Sequence, residues 1–158
     1  MWGVRSQSGD HMIWMLDMWV PGEPKTQGSM RHIGKGRMIH PKGLTAWRDH
    51  ITETTRQYTA TWFGAWEPID QPVRVDLVFY MPRPQRPRWD TPATRWDIDK
   101  LERAVMDALA PKVDRKTPPW AVLQDDSRVV EVRKRKRYET DGCGVEIKVG
   151  IPDGHQRN

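Results

Sequence analysis

Apolar residues along this chain follow two rhythms, one of period two and one near 3.6, and the switches between them lay out the elements. Ile13 to Val20 is an apolar run broken by Asp17 and reads as a first strand, which Pro21 and Gly22 end. Leu44, Trp47, Ile51 and Tyr58 recur at helical spacing and predict a helix over 44–60. Val73, Val75, Leu77 and Phe79 alternate with Arg74, Asp76, Val78 and Tyr80, a half-buried strand that stops at Met81 and Pro82. Ile98, Leu101, Val105, Ala108 and Leu109 form the buried stripe of a second helix, ended by Pro111. Val129, Val130 and Val132 lead into a strand whose far end, residues 133–137, is wholly basic. Asp141 and Gly142 carry a hairpin-turn signal, and Val145, Ile147 and Val149 alternate in a last strand.

The order strand, helix, strand, helix, strand, strand predicts an α+β domain, a small mixed sheet with both helices on one face. Two segments carry no such rhythm. Residues 22–43 are rich in Gly, Pro, Lys and Arg and read as a long loop, a length that in a compact domain accompanies function or disorder. Residues 82–95 hold Pro82, Pro84, Pro87 and Pro92 among Arg83, Arg86, Arg88 and Arg95, and read as a mobile basic arm. The expected organisation is a loose tail over 1–12, one domain over 13–150 and a short tail over 151–158.

Composition narrows the class. Lys and Arg number 26 against 21 Asp and Glu, giving +5 and a pI near 9.6, a balance that favours polyanions. No apolar run approaches the ~20 residues of a membrane span, and Met1 to Asp10 carries no signal-like stretch. The single cysteine, Cys143, forms no internal disulfide, which suits a reducing compartment, so a cytoplasmic protein is expected. Nine tryptophans stand against two phenylalanines: Trp14, Trp19 and Trp47 fall in or beside regular elements, while Trp62, Trp66, Trp89 and Trp96 fall near element ends. Half-exposed packing and stacking on a base both suit such residues.

Within this basic chain the acidic residues gather. Asp97 and Asp99 open the second helix, and Asp125 and Asp126 precede a strand. If Asp99 caps the helix, Glu102 has capping-box spacing, and Asp97 and Asp99 project to one side of the extended backbone before it. Two carboxylates that close repel unless a cation lies between them, and a hard oxygen-binding ion such as Mg²⁺ would hold both ionised. Asp126 is the third candidate ligand, and Arg103, one turn after Asp99, is placed to neutralise charge on phosphorus. Ordinary chemistry explains the same residues: Asp99 as a cap, Asp97 as a charge favoured by the helix dipole, Asp125-Asp126 as a solvated turn. Asp107, one turn beyond Arg103, reads as its surface ion-pair partner.

Asp97-Ile98-Asp99-Lys100-Leu101-Glu102-Arg103 through Asp107-Ala108-Leu109, followed by Asp125-Asp126-Ser127-Arg128-Val129-Val130, resembles the signature of the RusA family of Holliday-junction resolvases. Val20 to Lys25 and Met81 to Pro84 are similar to that family's flanking elements, and the resemblance spans residues 18–149. It implies a homodimeric endonuclease that nicks four-way DNA at symmetric positions with Mg²⁺, or Mn²⁺ in its place, in a bacterial or phage-infected cell. It implies metal binding by Asp97, Asp99 and Asp126, and a phosphate contact from Lys136. The chain departs from the pattern at Lys100, where the family has Asn, and at Arg103, where it has a catalytic Lys. Arginine keeps the charge but does not readily release a proton. Residues 110–120 read as an insertion.

Three basic segments remain: Lys25, Arg31, Lys35, Arg37 and Lys42 in the first loop, the arginines of the arm with Arg83 first, and residues 133–137 with Arg133 and Lys136. On a nuclease scaffold they read as phosphate contacts that position branched DNA without reading its sequence. Two other readings stand beside the resolvase: a non-catalytic nucleic-acid-binding module whose acidic cluster is structural, and a nuclease acting on other branched or single-stranded DNA. Phosphate contacts of this number predict a steep salt dependence, checked by measuring affinity for a four-way junction at low and moderate salt.

Overall fold

The computed structural model describes residues 3–5, 11–28, 31–32, 38–39 and 43–152, with only the backbone described for 3–5, 31–32 and 38–39. In chain order its elements are β1 (Gly3–Arg5), β2 (His11–Pro21), β3 (Arg31–His32), β4 (Met38–Ile39), α1 (Leu44–Phe63), β5 (Val73–Met81), α2 (Ile98–Leu109), a 3₁₀ turn (Asp126–Arg128), β6 (Val129–Tyr138) and β7 (Gly144–Pro152). The long elements follow the expected order, and the fold is α+β. Gly3–Arg5 pairs with His11–Ile13, so part of the segment read as a loose tail carries backbone pairing. The long first loop likewise contains a two-residue ladder, Arg31 against Ile39 and His32 against Met38.

The principal sheet runs β1-β2-β7-β5-β6. β5 is an interior strand of it, parallel to β6 on one side and antiparallel to β7 on the other. Residues 141–142 therefore do not close a hairpin between paired strands, because β5 lies between β6 and β7. The burial of each strand explains that order. Val73, Arg74, Val75, Leu77, Phe79 and Met81 of β5 are all buried, which a central strand requires. β6 alternates between exposed and half-buried positions, and charges on an edge strand are well solvated.

Both helices cover one face. Leu16, Met18, Val20, Leu77, Phe79, Ile147 and Val149 from the sheet meet Leu44, Trp47 and Ile51 of α1 and Leu101, Val105 and Leu109 of α2 in one core. The buried stripe of α1 continues through Thr55 and Thr59, whose hydroxyls donate to Thr52 O and Arg56 O. Tyr58, expected in that stripe, is half-buried, and its hydroxyl accepts from the Asp17 amide at 3.2 Å. Among the described residues no helix is long and apolar enough to cross a membrane.

The connectors are more ordered than their composition implies. Residues 82–96 form no regular element, as four prolines require, yet Pro92 is buried and Lys136 Nζ donates to Arg95 O. Residues 113–116 close a tight turn, with Val113 and Lys116 exchanging both backbone hydrogen bonds around Asp114 and Arg115 at φ 50 and 65. Phe79 is fully buried at the centre of the core, so Phe79→Ala should lower unfolding stability by about 3–5 kcal/mol in a denaturant titration.

Candidate active site

The acidic mouth of α2 is built by the residues that lead into it. Trp96 holds φ 63, a left-handed conformation unusual for an aromatic residue, and turns the chain into the helix. Asp97 follows with φ −59 and ψ 122, and its carbonyl accepts from Lys100 N at 3.1 Å and Leu101 N at 3.0 Å. Its carboxylate accepts from Asp99 N at 2.9 Å and Lys100 N at 3.4 Å. Asp97 is therefore the N-cap, and the capping box expected at Asp99 and Glu102 is not formed. The first helical carbonyl belongs to Asp97, which moves Asp99 into the first turn, where the helix dipole favours its charge.

Two lysines of β6 brace this mouth. The register sets Lys134 beside Leu77 and Lys136 beside Phe79, both on the helix-covered face. Lys134 Nζ lies 2.5 Å from Asp99 Oδ1 and 3.0 Å from Glu102 Oε1. The hydrogen bond and charge of Lys134 pull the Asp99 carboxyl below its ordinary pKa, and Arg103 adds to the effect. Burial draws the Lys134 ammonium down, but Asp99 and Glu102 outweigh it and leave it raised. Lys136 donates to Trp96 O at 2.9 Å and Arg95 O at 3.2 Å, and burial lowers its pKa against the opposing charge of Asp97. Two of its three donors are thus spent on fixing the turn before Asp97.

Asp125 and Asp126 stand at the other end of α2. Leu123 N donates to Leu109 O, and Lys112 Nζ, three residues past the helix, lies 3.2 Å from Asp125 Oδ1. Twelve helical residues span about 18 Å, so one chain does not bring Asp126 to Asp97 and Asp99. Among the described residues no three His, Cys, Asp or Glu side chains gather as a metal-binding group. The neighbouring aspartates differ in commitment. Asp125 accepts from Ser127 N at 3.0 Å and Ser127 Oγ at 2.5 Å, and these bonds with Lys112 hold its carboxyl down to about 2. Asp126 is exposed, and its carboxylate makes no ion pair among the described residues.

Arg103 projects from the middle of α2, exposed, with its guanidinium against Gly28 of the first loop; a Cβ on Gly28 would sit 2.5 Å from Nη1. Asp107 does not pair with it. Gln27 Nε2 donates to Asp107 in a short hydrogen bond, and Arg48 of α1 reaches both Gln27 Oε1 at 3.3 Å and Asp107 at 3.9 Å. Gln27 N also donates to Lys100 O at 2.9 Å, so this loop is strapped across α2.

Of the expected phosphate contacts, Lys25 pairs with Glu23 at 3.5 Å, Arg83 is exposed just past β5, and the side chain of Arg31 lies outside the described residues, as do Lys35, Arg37 and Lys42. Arg133 and Lys136 fall on opposite faces of the sheet, with Arg133 turned to Glu131 at 3.2 Å. The residues that composition did not single out are Lys134 and Gln27. Applying the two-residue period of a strand to residues 133–137 separates Lys134 from its arginine neighbours; nothing comparable marks Gln27.

The family described as Endodeoxyribonuclease RusA matches residues 21–150 of the 158. No curated protein matches the chain. The matched span contains α2 with both of its acidic ends, β6 and the strapped loop.

Because Asn caps as well as Asp, Asp97→Ala should lower stability by about 1 kcal/mol while Asp97→Asn leaves it nearly unchanged, as thermal or denaturant unfolding will show. Asp125 has a folded pKa below that of an unfolded aspartate, so its contribution is complete above about pH 4 and is lost as pH falls through about 2. Carboxyl-detected NMR of the metal-free protein should give that midpoint, and Ser127→Ala should raise it.

Proposed function

The chain belongs to the RusA endodeoxyribonuclease family, and we propose that it is a Mg²⁺-dependent, homodimeric nuclease that resolves four-way DNA junctions by phosphodiester hydrolysis in recombination and repair. The observation that carries this reading is the exposed Asp97/Asp99 mouth of α2, held between two lysines of β6. Both residues are exposed and offer carboxylate oxygens, the ligands a hard divalent cation prefers, and Lys134 would share Asp99 with that ion. Asp97 and Asp99 would hold Mg²⁺, which when bound supplies Lewis-acid polarisation of a phosphoryl oxygen.

The protein's own groups do the rest. Lys134 keeps Asp99 ionised and restrains it, and Lys136 fixes the turn that aims Asp97. Arg103 faces the charge that develops on phosphorus; as a guanidinium it stabilises that charge without acting as a proton donor. Asp126 completes the ligand set from a second copy of the chain, since in its own chain it sits beyond the far end of α2. A twofold dimer would then carry two such sites, matching the two equivalent strands of a junction. The basic arm with Arg83, and the first loop with Lys25 and Arg31, would hold the junction arms through phosphate.

A second reading has specific support. Asp97 is spent as a cap and Asp99 is paired, which also suits a non-catalytic nucleic-acid-binding module. Incubation with a synthetic four-way junction separates the two. Metal-dependent cleavage, lost at least 100-fold in Asp99→Asn and in Asp126→Asn, supports the nuclease; tight binding without cleavage under any divalent metal supports the module. Mixing the two inactive variants should restore cleavage, because one of the two shared sites in the mixed dimer keeps both carboxylates. No recovery on mixing would remove Asp126 from the shared ligand set.

A further inference from the structure

The sheet face away from the helices is not an empty back. Register places four rows of side chains across it. The charges in the row of Trp14, Gly150, Arg74 and Glu131 and in the row of Asp17, Lys148, Asp76 and Arg133 pair within these two rows taken together. Arg74 donates twice to Asp76 at 2.7 Å beneath the Trp14 ring, and Arg133 meets Glu131 at 3.2 Å. Lys148 lies 3.9 Å from Asp17, and Glu146 accepts from the Tyr80 hydroxyl at 3.0 Å. Each acid in these four rows thus has a partner. Arg135 and Arg137 are exposed and have no acidic partner among the described residues, so the net charge of the face is concentrated at one corner.

An aromatic platform occupies the same corner. Trp19 lies across Gly144, where a methyl group would overlap the indole ring, and its edge meets Tyr80 with centroids 5.5 Å apart and planes at 70°. The glycine lets the ring lie down against the strand, yet Trp19 remains 42% exposed. Tyr80 stands beside Arg137 in register, and Val78 beside Arg135. Two residues along a strand separate the two guanidinium groups by about 6.6 Å at their Cα atoms, a spacing that successive phosphates of an extended strand can meet.

We propose that Trp19, Tyr80, Arg135 and Arg137 form a second nucleic-acid surface, which binds single-stranded DNA by stacking a base on Trp19 while the two arginines hold adjacent phosphates. The open aromatic face selects unpaired bases, because in a duplex the base faces are already stacked; the unpaired guanidiniums supply the charge complement. The surface lies on the opposite side of the sheet from the α2 mouth. It rests on the reading that the protein acts on DNA, and it would engage a strand unpaired near the branch point.

Fluorescence anisotropy of a labelled oligothymidylate of about ten nucleotides tests this on the full chain, with junction cleavage measured on the same preparations. Trp19→Ala and the double variant Arg135→Ala/Arg137→Ala should each weaken oligonucleotide binding about tenfold or more. Trp19→Phe should retain most of it, and Asp99→Asn should bind as the unmodified protein does. Both arginines are exposed, so the double variant tests the patch even if Trp19→Ala fails to fold. Unchanged affinity in the double variant, or no oligonucleotide binding by the unmodified protein, overturns the proposal. So does a Trp19→Ala variant that changes only oligomeric state, which would make the face a contact between copies. Cleavage without oligonucleotide binding removes this surface alone; oligonucleotide binding without cleavage removes the nuclease reading alone.

Discussion

The two-residue period of β6 is the constraint on which the working surfaces depend. Five consecutive basic residues enter that strand, and the pleat sends Lys134 and Lys136 to the helix side and Arg133, Arg135 and Arg137 to the open side. The compact ammonium groups, on flexible stems, are the ones that reach a helix mouth and backbone carbonyls. The planar guanidiniums are left facing solvent, where they suit phosphate. A register slip of one residue would exchange the two sets, setting an arginine in place of Lys134 beside Asp99 and turning the lysines to the open face.

Edge position makes this arrangement affordable. A strand this charged in the middle of the sheet would carry its ammonium groups into the core, whereas at the edge beside α2 they stay partly hydrated. β5 takes an interior place instead, and α2 rests with its apolar stripe on the core and acidic residues at both of its ends. The electrostatics of those ends differ for a physical reason. Asp125 is bonded to Ser127 and Lys112 and serves the local turn, while Asp126 is exposed. At the opposite end, Lys134 holds Asp99 ionised and would have to share it with any incoming divalent cation.

Much of this was legible in the sequence because local patterning and tertiary demand agree. The long strands and both helices follow from period, and the acidic ends of α2 from composition. What escaped depends on contacts distant in sequence. The Asp141-Gly142 signal could not reveal that β5 lies between its flanking strands. Asp99 has the spacing of a cap, but only the turn at Trp96, braced by Lys136, makes Asp97 the cap instead. Asp107 lost its helical neighbour Arg103 to Gln27 and Arg48, which come from a loop and another helix. The separation of Asp126 from Asp97 follows from β6 running antiparallel to α2, a relation no motif encodes.

The proposed site requires that the two ends of α2, one from each copy, meet around a single divalent ion. Mn²⁺ in place of Mg²⁺ broadens NMR signals near it, so a Mn²⁺ titration of the DNA-free protein reads both ends at once. The amides of Lys100 and Ser127 should lose intensity together, with one midpoint, and Asp99→Asn should abolish both losses. If the Lys100 signal persists, or if the two ends respond with unrelated midpoints, the acidic mouth of α2 is not the metal cradle proposed for it.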